Sequence, residues 1–331
     1  MKKLIKKLTE AYGPSGNEEE VRRIIEEEVR TLTDEMRVDP MGSLIALRKG
    51  DGSGLKIMLA AHMDEIGVIV THVDKEGFLR FGAVGGLRRL SLLGSRVRFA
   101  NGVIGTIGAE KMESPEKVPS LGQLFIDTGA VSKDSLAIGI GDTACFDRPF
   151  VDQGSRLTAK AFDDRIGCAI LIQTLRDLQK SPHDVYFVFT VQEEVGLRGA
   201  QASAYGVAPD LGIAVDVTTT GDTPEAHPMA VSLGHGPAIK VKDKGMIAHP
   251  KVKDLLIETA ERLGLPYQME VLERGTTDGY AMQVSRSGVP TGVVSVGTRY
   301  VHSPSETLDY DDVLNSVRLL VGVLSDPITM N

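Results

Sequence analysis

The sequence predicts an α/β protein built on a mostly parallel sheet, with a small all-β domain inserted into it. Three observations carry this. Continuous apolar runs of strand length recur along the chain: LKIMLAAH at 55–62, VYFVFTV at 185–191, LGIAVDV at 211–217 and GVVSVG at 292–297. Such runs suit strands covered on both faces. Helical patterns stand between them, at 164–180, 251–263 and 310–324, which is the alternation of a sheet with helices on both sides. The middle of the chain reads differently. GVIVTHVDKEGFLRFGAVGG, GSRVRFANGVIGTIGA and LAIGIGDTACF are short apolar pieces broken by glycine, with the turn pair Asn101-Gly102. Their period-two alternation indicates short antiparallel strands. The expected organisation is therefore a discontinuous α/β domain over 1–67 and 158–331, and a β-barrel-like insert over 68–157.

The elements follow in order. MKKLIKKLTEAYGPSG opens the chain, basic and apolar at helical spacing. It lacks the continuous apolar core of a signal peptide, so it reads as a first helix of a cytoplasmic protein. NEEEVRRIIEEEVR, 17–30, reads as a second helix with Asn17 as N-cap and Glu20 completing a variant capping box. Cys145 and Cys168 share no motif and read as core thiols. The 331 residues are 42% hydrophobic and carry a formal charge of −8 with dispersed basic residues. That supports a large core and disfavours a nucleic-acid partner. No apolar run approaches a membrane-spanning length. Aromatic residues are only 5% and tryptophan is absent, which disfavours stacking on sugars or bases.

Ligands of open α/β sheets bind beyond the carboxyl ends of the strands. The first long apolar strand ends in His62-Met63-Asp64, the second in Glu193-Glu194, and the third carries Asp216; the last is followed by TRYVHSPSE with His302. AKAFDDRIG sets Asp163 and Asp164 just before a helix. Each residue alone has a plain structural reading, as turn, cap or solvated side chain. Together they put several carboxylates at one sheet edge, where without a cation they repel one another and hold protons. A pair of divalent ions removes that conflict. Imidazole with carboxylate suits zinc or cobalt, whereas calcium and magnesium favour all-oxygen shells. His62 can ligate while Asp64, two residues on, accepts from its other ring nitrogen. Of the adjacent glutamates, Glu194 reads as a ligand and Glu193 as the general base for an attacking water.

At these residues the sequence resembles the dinuclear metalloaminopeptidases that assemble as tetrahedral dodecamers, the deblocking or glutamyl aminopeptidases once described as endoglucanases. TEAYGPSGNEEEVR, AAHMDEIG, KAFDDRIG, VQEEVGLRGA, IAVDVT and RYVHSPSE carry the resemblance, which spans nearly the whole chain. It implies that His62, Asp216, Glu194 and His302 divide between two metals, the terminal ligands of each being left open. It implies Asp163 as the bridge, Asp164 as a helix-start carboxylate, Glu193 as general base and Asp64 as the residue orienting His62. It also implies an inserted domain used for dimerisation, and a hollow shell of dimers that takes short peptides.

Other residues carry weaker signals. Thr277 and Asp278 in RGTTDGYA read as a helix cap, and the resemblance, in which a similar stretch lies near the substrate pocket, equally implies pocket residues. Arg88, Arg89 and Arg299 read as surface or interface residues, His235 and His249 as loop residues, and His72 and His183 as incidental. Three alternatives to an aminopeptidase stand beside it. A two-metal N-deacylase or carboxypeptidase needs a cationic clamp for a substrate carboxylate, and no compelling arginine for that role stands next to the motifs. A glycosidase leaves His62 and His302 unexplained. A non-catalytic peptide-binding shell has no use for the complete set of ligands and base.

Overall fold

The computed structural model describes residues 1–330 except 113, 115 and 116. Eleven strands form one sheet and six form a separate closed barrel. The four long apolar runs lie side by side at the centre of the large sheet, in the order Asp184–Thr190, Lys56–His62, Leu211–Thr218, Thr291–Arg299, all parallel. Both edges of the sheet are antiparallel. The sheet is therefore mixed, with parallel pairing concentrated where helices cover both faces.

Helix Phe162–Asp177 is buried along nearly all its length, as an apolar helix wedged between sheet and outer helices must be. It packs on the central strands and against Tyr310–Ser325. Leu4, Ile5 and Leu8 of the first helix join the same core. The second helix spans Glu19–Val29 with Glu18 at its N-cap and no side-chain cap bond, so the expected Asn17 cap is not formed. His249 begins helix Pro250–Leu263 as its N-cap residue, with Pro250 in the first turn, where proline's missing N–H costs nothing. The loop reading of His249 is thus refined to a helix start. His183 is not incidental. It is buried, accepts from Leu55 N at 2.9 Å and donates to the Asp326 carbonyl at 2.9 Å, tying the C-terminal segment to the sheet.

The barrel runs from strand Gly67–Val73 to strand Thr143–Phe146 around its own core of Val68, Phe81, Phe99 and Ile126. The chain is back in the large sheet by strands Val151–Asp152 and Arg156–Ala159, before the expected return at 158. Cys145 and Cys168 are both buried and free, as expected. Among the described residues no helix is long and apolar enough to cross a membrane.

Candidate active site

The four parallel central strands all point their carboxyl ends to one side of the sheet. His62 is the last residue of its strand, Asp216 lies two residues from the end of its own, and Glu193-Glu194 and His302 follow theirs by a few residues. Asp163 enters from the first turn of the buried helix, where Asp163 and Asp164 have non-helical dihedrals and a cis peptide between them. His62, Asp163, Glu193, Glu194, Asp216 and His302 all line one cavity of about 500 Å³.

The contacts within the cluster divide the residues. Asp163 faces both histidines: Oδ1 is 3.0 Å from His62 Nε2 and Oδ2 is 3.2 Å from His302 Nε2. Glu194 Oε1 is also 3.2 Å from His302 Nε2, without hydrogen-bond geometry, and is a buried oxygen with no donor. Glu193 Oε2 lies 3.9 Å from His62 Nε2. Asp164 is close to His62 and Asp216, so ligand atoms of these three could surround an ion, as could those of Asp163, Glu194 and His302. Both Asp164 oxygens, however, already accept backbone N–H groups, from Gly167 at 3.0 Å and His62 at 3.1 Å. The first of these bonds is the helix-start role expected of it. Asp163 has no such backbone donor among the described contacts.

The electrostatics follow from burial. Burial, with Asp216 and Glu194 nearby, pushes the Glu193 carboxyl well above the usual range. Burial and Asp163 do the same to Asp216. Burial opposes charge on both imidazoles, but the carboxylates prevail. Glu193, Asp163 and Asp64 hold His62 well above its ordinary value, and Asp163 and Glu194 bring His302 to about 11. Burial likewise works against an ionised Asp163, and the two histidines outweigh it and lower its pKa. The cluster thus demands positive charge: protons fill it unless a cation takes their place.

Asp64 differs in detail from its expected role. His62 Nδ1 donates to the Asp64 backbone carbonyl at 3.0 Å, and the Asp64 carboxylate is 3.4 Å from that nitrogen. The carbonyl bond leaves Nε2 directed into the cluster. The carboxylate instead accepts from Ser15 Oγ at 2.6 Å, Glu193 N at 3.0 Å and Glu194 N at 3.2 Å.

Several supporting residues carried no role in the sequence reading. Glu306, inside the quoted HSPSE, is buried and accepts from His302 N at 2.9 Å and Asp163 N at 3.0 Å. Burial and the charge of Asp163 push its carboxyl up to about 8. Lys160 is buried with both nitrogen–oxygen contacts to Glu65 at 2.7 Å. Arg165 bonds the carbonyls of Met63, Leu8 and Gly13. These two cations lock the first helix to the segment that follows His62, and a buried pair of this kind costs several kcal/mol if one partner is removed. Thr277 fulfils both of its readings: it caps helix Asp278–Gln283 and lines the cavity. Asp278 is buried beneath, accepting from Thr190 Oγ1 at 2.5 Å. Arg299 has a partner, Asp222 at 2.8 Å. Arg88 is exposed, in keeping with its surface reading, and it also reaches the site. With Arg274 it lines the site cavity, and neither guanidinium has an ion-pair partner among the described residues.

The fold is that of an α/β peptide hydrolase, with a cluster of histidines and carboxylates at the carboxyl ends of four parallel strands. The M42 glutamyl aminopeptidase family model matches residues 42–319, and the chain belongs to that family of peptide hydrolases. A candidate aminopeptidase of Acetivibrio thermocellus is 51% identical over 323 residues, 97% of each chain. The aminopeptidase APDkam598 of the archaeon Desulfurococcus kamchatkensis is similar in structure, with a TM-score of 0.94 and 42% identity over 98% of this chain and 94% of that one. The Pyrococcus horikoshii TET1 peptidase, which can assemble into a tetrahedron or a large octahedral shell, matches with a TM-score of 0.90 and 33% identity, covering 98% and 99%.

Proposed function

We propose that this aminopeptidase removes single N-terminal residues from short peptides, with Glu193 as general base and two divalent ions, zinc or cobalt, in the cluster. The single observation that carries the reading is Asp163 with one carboxylate oxygen toward each histidine, the disposition a bridging carboxylate needs. The donor set fits the ions: imidazole and carboxylate in two groups, with Glu194 Oε1 buried and lacking a donor. His62 and Asp216 would hold one ion, Glu194 and His302 the other, and Asp163 both. When bound, such ions polarise a carbonyl and acidify water.

The chain's own groups supply the rest. Glu193 stands on the cavity wall beside His62 and takes a proton from the attacking water. It returns that proton to the leaving amine. Burial and the neighbouring carboxylates raise its proton affinity, which suits a group that must take up a proton and give it back. The acidic floor of the cavity receives the substrate's α-ammonium. The test is a panel of leucyl, lysyl, glutamyl and N-acetyl-leucyl p-nitroanilides with zinc- or cobalt-loaded protein. Cleavage of a free-amine member and not the acetylated one supports the reading. In Glu193→Gln turnover should fall by about a hundredfold or more with the metals retained, and near-wild-type turnover there removes Glu193 from the mechanism.

A carboxypeptidase reading gains one observation, the unpaired Arg88 and Arg274 on the cavity wall. Those cations would take a substrate carboxylate. Anilides without a carboxylate separate the two: a carboxypeptidase leaves all of them intact.

We also propose assembly of dimers into a dodecamer. Leu90, Leu93, Val131 and Ile140 are 57–88% exposed on the barrel unit, apolar side chains that contact with further copies would cover. The shells of the TET1 relative support this. Light scattering should give a mass near twelve times the 35.6 kDa chain.

A further inference from the structure

Three consecutive backbone N–H groups, those of Gln192, Glu193 and Glu194, end on two buried carboxylates of the N-terminal part of the chain. Gln192 N donates to Glu18 Oε1 at 3.2 Å, and Glu193 N and Glu194 N donate to the two oxygens of Asp64 at 3.0 and 3.2 Å. Gln192 sits at φ +56°, so the chain turns sharply here. Successive N–H groups in such a turn form a concave anion site; in this protein its own carboxylates fill it. The carboxylates are themselves held. Ser15 Oγ donates to Asp64 Oδ2 at 2.6 Å, the same oxygen that receives Glu194 N. Gly16 N donates to Glu18 Oε1 at 2.7 Å. The Pro14–Glu65 bridge and the bond from Glu65 N to the Gly13 carbonyl at 3.1 Å fix the segment itself.

From this we infer that Ser15 and Glu18 are positioning residues: they set the peptide planes of the 192–194 turn, and so the directions in which the Glu193 and Glu194 side chains leave the backbone. The inference rests on the proposed roles of those two glutamates. Neither Ser15 nor Glu18 touches the cavity. They act through Asp64 and through the turn's N–H groups. A hydrogen bond to an ionised acceptor is strong enough that its loss lets the turn sample other orientations.

The decisive variant is Ser15→Ala, which deletes one hydroxyl and leaves the fold's packing in place. Assayed at saturating metal, its kcat should fall about tenfold with KM unchanged, since ground-state binding does not use the turn's alignment. Ser15→Thr keeps the hydroxyl and should recover most of that loss. Glu18→Gln keeps an acceptor for Gln192 N and should lose less than Glu18→Ala. An unchanged kcat in Ser15→Ala overturns the inference. So does a fall in kcat that comes with a loss of thermal midpoint and is not recovered in Ser15→Thr, which marks a structural role only. Glu193→Gln is measured beside them. If it is inactive while Ser15→Ala is unaffected, the positioning role fails and the base assignment stands; if it is active, the base assignment itself fails.

Discussion

Gly86 lies so close to His302 that a Cβ at that position would stand 2.7 Å from Nδ1 and 2.9 Å from Cε1. The barrel unit therefore meets the site through a glycine that no other residue can replace without displacing the imidazole. On its far side the ring has no room to retreat, because Nε2 is 3.2 Å from both Asp163 and Glu194. Gly86→Ala should weaken metal binding at the His302 group and lower kcat/KM by about tenfold or more, an effect on the order of 1.4 kcal/mol. Gly82 in the same barrel region offers the control, since its added Cβ would meet only ordinary contacts at 3.6 and 3.7 Å. Gly82→Ala should match wild type in the same assay, and equal losses in both would attribute the effect to the barrel fold.

Glu306 braces Asp163 and His302 together by their N–H groups. His302 sits at φ +62°, in the left-handed region that non-glycine residues adopt at some cost. Glu306→Gln is a sharp test because an amide offers only one acceptor, and its NH₂ must face one of the two donors. It should behave nearly as badly as Glu306→Ala, each losing at least tenfold in kcat/KM. A glutamine variant close to wild type would show that one of the two bonds is dispensable.

The parallel centre of the sheet was legible because its strands are unbroken apolar runs, and the ends of those runs named His62, Glu193, Glu194, Asp216 and His302. The strand Glu35–Val38 is only four residues long and largely exposed, and helix Arg198–Val207 is rich in small residues, so neither carries a pattern long enough to read. Glu306, Ser15 and Glu18 were invisible for another reason. Their function is to receive or direct bonds to backbone groups distant in sequence, and a backbone N–H has no signature in the sequence. Glu18 shows the consequence: the local pattern favoured a cap at Asn17, but the Glu18 carboxylate serves Gly16 and Gln192 instead. Arg88 reached the cavity wall from the barrel unit, a placement that only the relative arrangement of the two units decides.

His302 belongs to the Asp163–Glu194 group and not to the His62–Asp216 group. His302→Ala should therefore lose about one equivalent of metal and keep the other, by elemental analysis after dialysis. Retention of two equivalents would show that His302 is not a ligand. Removal of both ions by a chelator should abolish turnover, and zinc or cobalt should restore it in wild type.

Glu18 gives a pH dependence with a definite sign. Burial, reinforced by the charge of Asp64, raises its carboxyl from 4.5 to about 7 in the folded chain. Between those values the folded state holds a proton that the unfolded state has released, so stability falls as pH rises through that window. Above about 7 the full cost of a buried charge is present. Glu18→Gln removes the titration and keeps an acceptor for the Gln192 and Gly16 N–H groups. The difference in thermal midpoint, variant minus wild type, should therefore be more positive at pH 8 than at pH 4.5. Taking a difference between variants cancels the other buried carboxylates, which titrate in both proteins. Thermal scans of the two proteins at matched metal content check this, and a difference that stays constant with pH would mean that Glu18 does not change protonation over the range.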